Sequence, residues 1–281
     1  MTFNFIAAKK AYDCLSFINQ KCPLVMDMGV QTPSIGNKLI KKFVKLDSLV
    51  AGKQEIHYQK IIAEKAFTTK DFFLALGYDN YFSIDINGAN NSYQFDLNQD
   101  LSEIKYFEKF DLVINNGTGE HIFNQYSLLK NIHYLTKKNG VMLHIMPFLD
   151  WVNHGFYNFN PILYADLAAA NNYKILDISL ANRNGAELSF QDKEKLNIMY
   201  EQVKPNYFSN FKKLLLDARK KLGENILLVA ILEKIKANDF AIPLQGKYLE
   251  DISSIDTEYA NQGIGSSNSF GQESDGIKRK E

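Results

Sequence analysis

The chain has 281 residues, is 46% hydrophobic and 23% charged, and balances 32 Lys+Arg against 32 Asp+Glu. This composition excludes wholesale disorder and collagen-like repeats, and the length fits one large α/β domain or one domain with additions. Zero net charge supplies no global field to hold nucleic acid or an acidic membrane, and two cysteines, Cys14 and Cys22, give no disulfide framework and no Cys-based zinc site. Both cysteines read as small buried hydrophobes.

Residues 5–19 place Phe5, Ile6, Ala8, Tyr12, Leu15, Phe17 and Ile18 at helical spacing, and Pro23 breaks the chain. Leu24-Val25-Met26-Asp27-Met28-Gly29 reads as a buried strand running into a turn. Residues 37–46 look helical, and 47–67 are polar and mixed. Thr68 or Thr69 caps a helix through Leu76, ended by Gly77. Strands follow at Tyr81–Ile86, Tyr93–Leu97 and Phe110–Asn115. Ile122, Phe123, Tyr126, Leu129, Ile132 and Leu135 share one helical face that Asn139-Gly140 stops. Val141–Met146 is the next strand, closed by Pro147. Asn160-Pro161 starts a helix that runs to about Asn171. A strand at Lys174–Ile178, a Lys-rich helical stretch over 190–222 and a strand at Asn225–Leu232 complete the pattern.

Strands and helices alternate, which predicts an α/β fold: a doubly wound, mainly parallel sheet with helices on both faces. The expected organisation is an N-terminal helix over 1–22, an α/β domain over 23–235, a C-terminal extension over 236–262 and a disordered tail over 263–281, where Gly, Ser, Asn and charge dominate. No targeting segment is visible, and the best apolar run, Ile226–Leu232, is far below the roughly 20 residues that span a bilayer. The expectation is a cytoplasmic protein with no membrane partner. Oligomeric state is not legible.

In an open parallel sheet, ligands bind beyond the carboxyl ends of the strands, near the switch in strand order. Four candidate strands here end in polar or small residues: Asp27-Met28-Gly29, Asp85, Asp96, and Asn115-Asn116-Gly117. An acid at a strand end can accept both hydrogen bonds of a ribose diol, and a glycine lets backbone approach a ligand. The plain alternative is that each acid caps its own turn.

The order of these ends resembles the class I S-adenosylmethionine-dependent methyltransferases. FDLVINNGTGEHIFN (110–124) and LLKNIHYLTKKNGVMLHIMPF (128–148) look like that family's fourth strand, Glu-His loop, helix and fifth strand, with Asn139-Gly140 where Gly-Gly is usual. The resemblance implies a seven-stranded sheet and S-adenosyl-L-methionine as cofactor. It assigns the ribose-holding acid to Asp85, the adenine-facing segment to Asp96 and Leu97, and the first motif to Asp27 and Gly29. Asn115, Asn116 and Gly117 complete the implied cofactor set. The chain departs from the family in its first loop, Asp27-Met28-Gly29-Val30-Gln31-Thr32-Pro33, which has one glycine. Asp85 also follows Gly29 by 56 residues (85 − 29) rather than roughly twenty, so an insertion is expected at about 36–67. The absence of a GxGxxG loop argues against a pyrophosphate ligand, whereas a sulfonium and a neutral adenosine need no phosphate cradle.

Transfer to a hydroxyl or amine needs a base to take the acceptor's proton. His154, in WVNHGFYNFNP (151–161), is the first candidate, and His121 is the second, with Glu120 to orient or assist. Trp151, Phe156, Tyr157 and Phe159 offer faces for an acceptor. His144 reads as a core histidine, and His133 and His57 have no role. Scattered histidines without ligand spacing predict no metal site. The lysines of 190–222 alternate with Asp192, Glu194, Glu201 and Asp217, and only three Arg occur in the chain, which argues for a solvated face over a nucleic-acid patch. The reading is methyl transfer to oxygen or nitrogen of a small or carbohydrate-like acceptor. The rivals are a non-catalytic binding protein on the same fold and a nucleotide-sugar or dinucleotide enzyme.

Overall fold

A computed structural model describes residues 2–34, 67–101, 107–189 and 207–245. Helix α1 (Phe5–Leu15) starts where the Asn4 side chain accepts the amide of Ala7, and it buries Ile6, Ala7, Ala8, Ala11 and Cys14. Strand β1 (Leu24–Met28) follows. Helix α2 (Thr69–Leu76) carries a capping box: Thr68 accepts the Asp71 amide, and Asp71 accepts the Thr68 amide in return. It ends at Gly77, whose φ of 109° only glycine adopts without strain. Next come β2 (Asn80–Asp85), β3 (Tyr93–Gln94), β4 (Phe110–Asn116), α3 (Gln125–Leu135), β5 (Thr136–Leu149) and α4 (Pro161–Asn171). The chain closes with β6 (Tyr173–Ala181), β7 (Glu187–Ser189), α5 (Tyr207–Leu222) and β8 (Ile226–Lys234).

The strands form one sheet in the order β3-β2-β1-β4-β5-β8-β6-β7. Pairing is parallel from β3 to β5 and antiparallel where β8 runs between β5 and β6. The expected doubly wound, mainly parallel sheet is therefore present, with β7 added as an eighth strand hairpinned on β6. Pleating sends alternate residues to opposite faces. Val25, Leu112, Ile114, Val141, Leu143 and Ile145 join α1 and α2 in one apolar layer. Met26, Met28, Val113, Met142 and Met146 join α3, α4 and α5 in the other. Burial on both faces is why these strands read as near-continuous apolar runs.

Several boundaries differ from expectation. Helix α3 stops at Leu135 rather than at Asn139-Gly140, because Thr136 is already extended and pairs with Phe110. The register then jumps to Leu112↔Val141, and Asn139 with φ 61° lies inside that irregularity. Pro147 does not end β5. It lies beyond the last β4 partner, Asn116↔Ile145, so its missing amide breaks no bond in that ladder. Strand β3 is shorter than expected because Asp96 turns the chain onto Asn98. Cys14 is buried, but Cys22 is exposed.

The exposed side of α5 carries Lys212, Lys213, Asp217, Lys220 and Lys221. Residues 190–206 of the Lys-rich stretch, 36–66 of the expected insertion (His57 included), and everything after residue 245, with the tail, lie outside the described residues. Among the described residues no helix is long and apolar enough to cross a membrane.

Candidate functional site

The strand order reverses between β1 and β4, so their carboxyl ends flank the crevice where such sheets bind ligands. Gly29 closes β1 with φ 124°, and a Cβ there would stand 2.2 Å from the Thr118 Oγ1. The loops after β1 and β4 are therefore in direct contact. Asp85, half-buried at the end of β2, accepts the Val30 amide on Oδ2 at 3.2 Å and the Asn87 amide on Oδ1 at 3.2 Å. It braces the β1 loop from the neighbouring strand. Its carbonyl accepts the amide of Phe95, so Asp96 stands at the same rim. Asp96 Oδ1 accepts the amide and the side-chain Nδ2 of Asn98, at 2.9 and 2.8 Å. Those bonds hold its carboxyl below the usual range. Asn98 is bonded in turn by Asn124 before α3, and the Leu97 side chain is in the core.

Buried polar atoms without partners gather at this rim. Asp27 is 1% exposed; its Oδ2 accepts the Tyr81 hydroxyl at 2.9 Å, while Oδ1 has no hydrogen-bond partner among the described residues. Burial pushes its carboxyl up to about 8. Gln31 donates to the Asn116 carbonyl at 2.8 Å, leaving its own Oε1 unbonded, and both side-chain atoms of Asn116 are unbonded and buried. Beside them a hollow of 660 Å³ is lined by Val30, Gln31, Thr68, Tyr81, Asn90 and Tyr93. Asn115 differs from its neighbour. Its Oδ1 accepts the Gly119 amide at 3.0 Å and its Nδ2 faces His144 Nδ1 at 3.4 Å, so it shapes the loop from beneath. His144 is buried against Tyr164, and burial lowers its pKa to about 3. Gly117, with φ 65°, donates to the Ile145 carbonyl and turns the chain off β4.

The loops after β4 and β5 then meet. A single turn, Gly119–His121, buries Glu120 completely, with neither carboxylate oxygen hydrogen-bonded among the described residues. Burial raises its pKa to about 7. The Glu120 carbonyl accepts the Phe156 amide at 2.7 Å, and Gly155 lies so close that a Cβ would stand 2.8 Å from that carbonyl oxygen. This clasp brings the His154 Nε2 to 3.4 Å and the His121 Nε2 to 3.7 Å from Glu120 Oε1. Burial lowers the pKa of both histidines, which keeps them neutral bases.

Trp151 backs this group. Its indole N–H donates to the Ile226 carbonyl at 2.9 Å, its ring lies 4.8 Å from that of His154, and Arg183 sits over it at 5.1 Å. Phe159 is likewise buried, in the apolar layer beneath the loop. Phe156 and Phe123 are exposed and meet edge to face at 5.9 Å, while Tyr157 donates to the Phe123 carbonyl. Gln31, Tyr81 and Thr118 were not legible as site residues. Only Gln31, a polar residue just past a strand-end glycine, carried a sequence signal.

No family model matches the chain, and no curated protein matches it by sequence. A solved S-adenosylmethionine-dependent methyltransferase from Archaeoglobus fulgidus is 13% identical, covering 81% of this chain and 92% of that one, with a TM-score of 0.42. The 1,6-didemethyltoxoflavin-N1-methyltransferase of Burkholderia thailandensis, solved with S-adenosylhomocysteine, is 13% identical over 82% of this chain and 78% of its own, with a TM-score of 0.42. An O-methyltransferase of a Brevibacillus brevis trans-AT polyketide synthase is 14% identical over 82% and 73%, with a TM-score of 0.35. The sheet itself decides the class: a parallel β3-β2-β1-β4-β5 half, with an antiparallel strand inserted beside β5. Such a mixed α/β sheet is consistent with the class I methyltransferase fold. The rim between β1 and β4 is the switch point of the sheet, and unbonded buried atoms of Asp27, Gln31, Asn116 and Glu120 lie there.

Proposed function

We propose that the chain is an S-adenosyl-L-methionine-dependent methyltransferase acting on oxygen or nitrogen of a small or carbohydrate-like acceptor. The observation that carries this reading is the set of buried, unbonded polar atoms of Asp27, Gln31, Asn116 and Glu120 at the switch-point rim. Buried polar groups in folded proteins are almost always hydrogen-bonded, so a cluster of exceptions marks the place of a polar ligand. The donor set fits a cationic, phosphate-free cofactor. The Asp85 carboxylate stands at the end of β2, and the β1 loop lacks the glycines that a pyrophosphate needs.

S-adenosyl-L-methionine, when bound, supplies a methyl group on a cationic sulfur. Asp85 and Asp96, with the Leu97 backbone, would hold the adenosine. Asp27, Gly29, Asn116 and Gly117 form the inner wall, and Asn115 supports it from below. Phe156 and Tyr157 with Phe123 offer an exposed platform for the acceptor, and Trp151 fixes the His154 ring. With the acceptor held in line with that methyl, His154 would take the acceptor's proton, and Glu120 and His121 would orient the His154 ring.

Calorimetric titration with S-adenosylhomocysteine tests the reading. Binding by the wild type, weakened about tenfold or more in Asp85→Ala, supports it, since charged hydrogen bonds contribute about 1.5–3 kcal/mol. No binding by folded protein overturns it. Tighter binding of NAD or a nucleotide sugar selects a nucleotide-dependent enzyme, and binding without transfer to any of a broad acceptor panel selects a non-catalytic binding protein.

A further inference from the structure

The fold brings together two histidines that lie 33 residues apart (154 − 121) and one carboxylate. One ligand atom from each of Glu120, His121 and His154 falls within 4.8 Å of the other two. Glu120 Oε1 is 3.4 Å from His154 Nε2 and 3.7 Å from His121 Nε2. Ligand atoms held about 2.0–2.1 Å from a common tetrahedral centre stand roughly 3.4 Å from one another, so the two Glu120 sides of the triangle match a chelating set, and the His121–His154 side is no longer than 4.8 Å. Neither pair is hydrogen-bonded. Both Glu120 oxygens and the His154 Nε2 are buried atoms without a hydrogen-bond partner among the described residues. Glu120 is also 0% exposed. A buried carboxylate with nothing bonded to it is costly unless a proton or a cation compensates it.

We propose that Glu120, His121 and His154 together hold a divalent transition-metal ion of the Zn²⁺ or Fe²⁺ type. Two imidazoles and one carboxylate suit such ions, whereas Mg²⁺ and Ca²⁺ favour all-oxygen sites. The ligands are held in place before any ion arrives. The Phe156 amide and Gly155 clasp the Glu120 turn, and Trp151 supports the His154 ring. The His121 and His154 side chains are 45% and 28% exposed, so a further ligand would reach the ion from the histidine side. Three protein ligands with an open position are the arrangement of a catalytic rather than a structural metal site. With the ion bound, the His154 lone pair would serve the metal instead of taking the acceptor's proton, and a hydroxyl on the ion would lose that proton to solvent through the lowered pKa of a metal-bound oxygen. Ion binding itself does not rest on the methyl-transfer reading.

The test uses the full chain, stripped with a chelator and titrated with Zn²⁺ against a chromogenic competitor, and separately with Co²⁺ followed by visible absorption. The expected result is one tight ion per chain, indifferent to excess Mg²⁺. His121→Ala and His154→Ala, both on exposed loops, should each weaken it about a hundredfold or more, and Glu120→Gln likewise. Thermal melting confirms that each variant folds, and Zn²⁺ should raise the melting temperature of the wild type alone. Absence of tight Zn²⁺ binding, or binding unchanged in both histidine variants, overturns the proposal. Titration of the same preparations with S-adenosylhomocysteine separates the two readings. Cofactor binding without metal removes the metal site alone, and metal binding without cofactor removes the methyltransferase reading alone.

Discussion

Asp27 shows how one buried side chain can burden the fold. With its carboxyl pushed up to about 8 from 3.8, the native protein keeps a proton that the unfolded chain has released. The stability contributed by this group is full below the unfolded value and drains away as pH rises through about 8. Asp27→Asn keeps an acceptor for the Tyr81 hydroxyl and removes the titration. Its melting temperature should exceed that of the wild type by an amount that grows from about pH 4 to about pH 8 and then levels off. Parallel melts across that range check this, and a constant offset would show that the native carboxyl ionises as it does in the unfolded chain. The acid was legible from its place at the end of an apolar run. That it is buried and bonded to Tyr81 was not, because Tyr81 belongs to β2, more than fifty residues further on.

At the scale of the element, the sequence is read through its local chemistry. The Thr68–Asp71 capping box, Gly77 and Pro161 mark helix ends because their effects act within one turn. Thr68→Ala should lower stability by about 1 kcal/mol, read from denaturant unfolding, through loss of the helix cap. Boundaries set by a partner strand were misplaced, as at Thr136, whose extended state follows from pairing with Phe110. The clasp between the β4 and β5 loops is another product of tertiary contact. Gly155 has no sequence partner within reach, yet a Cβ there would press on the Glu120 backbone at 2.8 Å. Gly155→Ala should therefore move His154 away from Glu120, cutting Zn²⁺ affinity and methyl transfer about tenfold or more while the melting temperature falls little. Retained affinity in that variant would show that the loop adapts without moving the histidine.

Across the whole molecule, α1 is stitched to the far edge of the sheet. Lys10 donates to Asp177 of β6 at 2.7 Å and reaches Glu187 of β7 at 2.8 Å, and Lys9 also pairs with Glu187. Lys10 and Asp177 are nearly inaccessible, with side chains 6% and 8% exposed. Removing one partner leaves the other as an uncompensated buried charge, so Lys10→Ala should cost about 3–5 kcal/mol, read from denaturant unfolding. Lys10→Met, which refills the volume but still strands Asp177, should recover only part of that. A loss below about 1 kcal/mol in Lys10→Ala would place the pair in the class of exposed bridges.

What the sequence determined by itself is the fold class and the rim at which its polar strand ends gather. Alternating apolar runs and helical faces dictate a parallel sheet covered on both sides, and polar strand ends can only gather at its carboxyl edge. What the tertiary structure decided is which polar groups at that edge are spent and which are left. Asp96 and Asn115 are bonded within their own turns, whereas Asn116 and Glu120 stand buried and unbonded. It also decided that His121 and His154 share one carboxylate, a meeting made by two loops that the sheet brings side by side. Local sequence encodes short-range torsion and polarity, but convergence of distant loops is fixed only when β4 and β5 pair and their burial selects one packing.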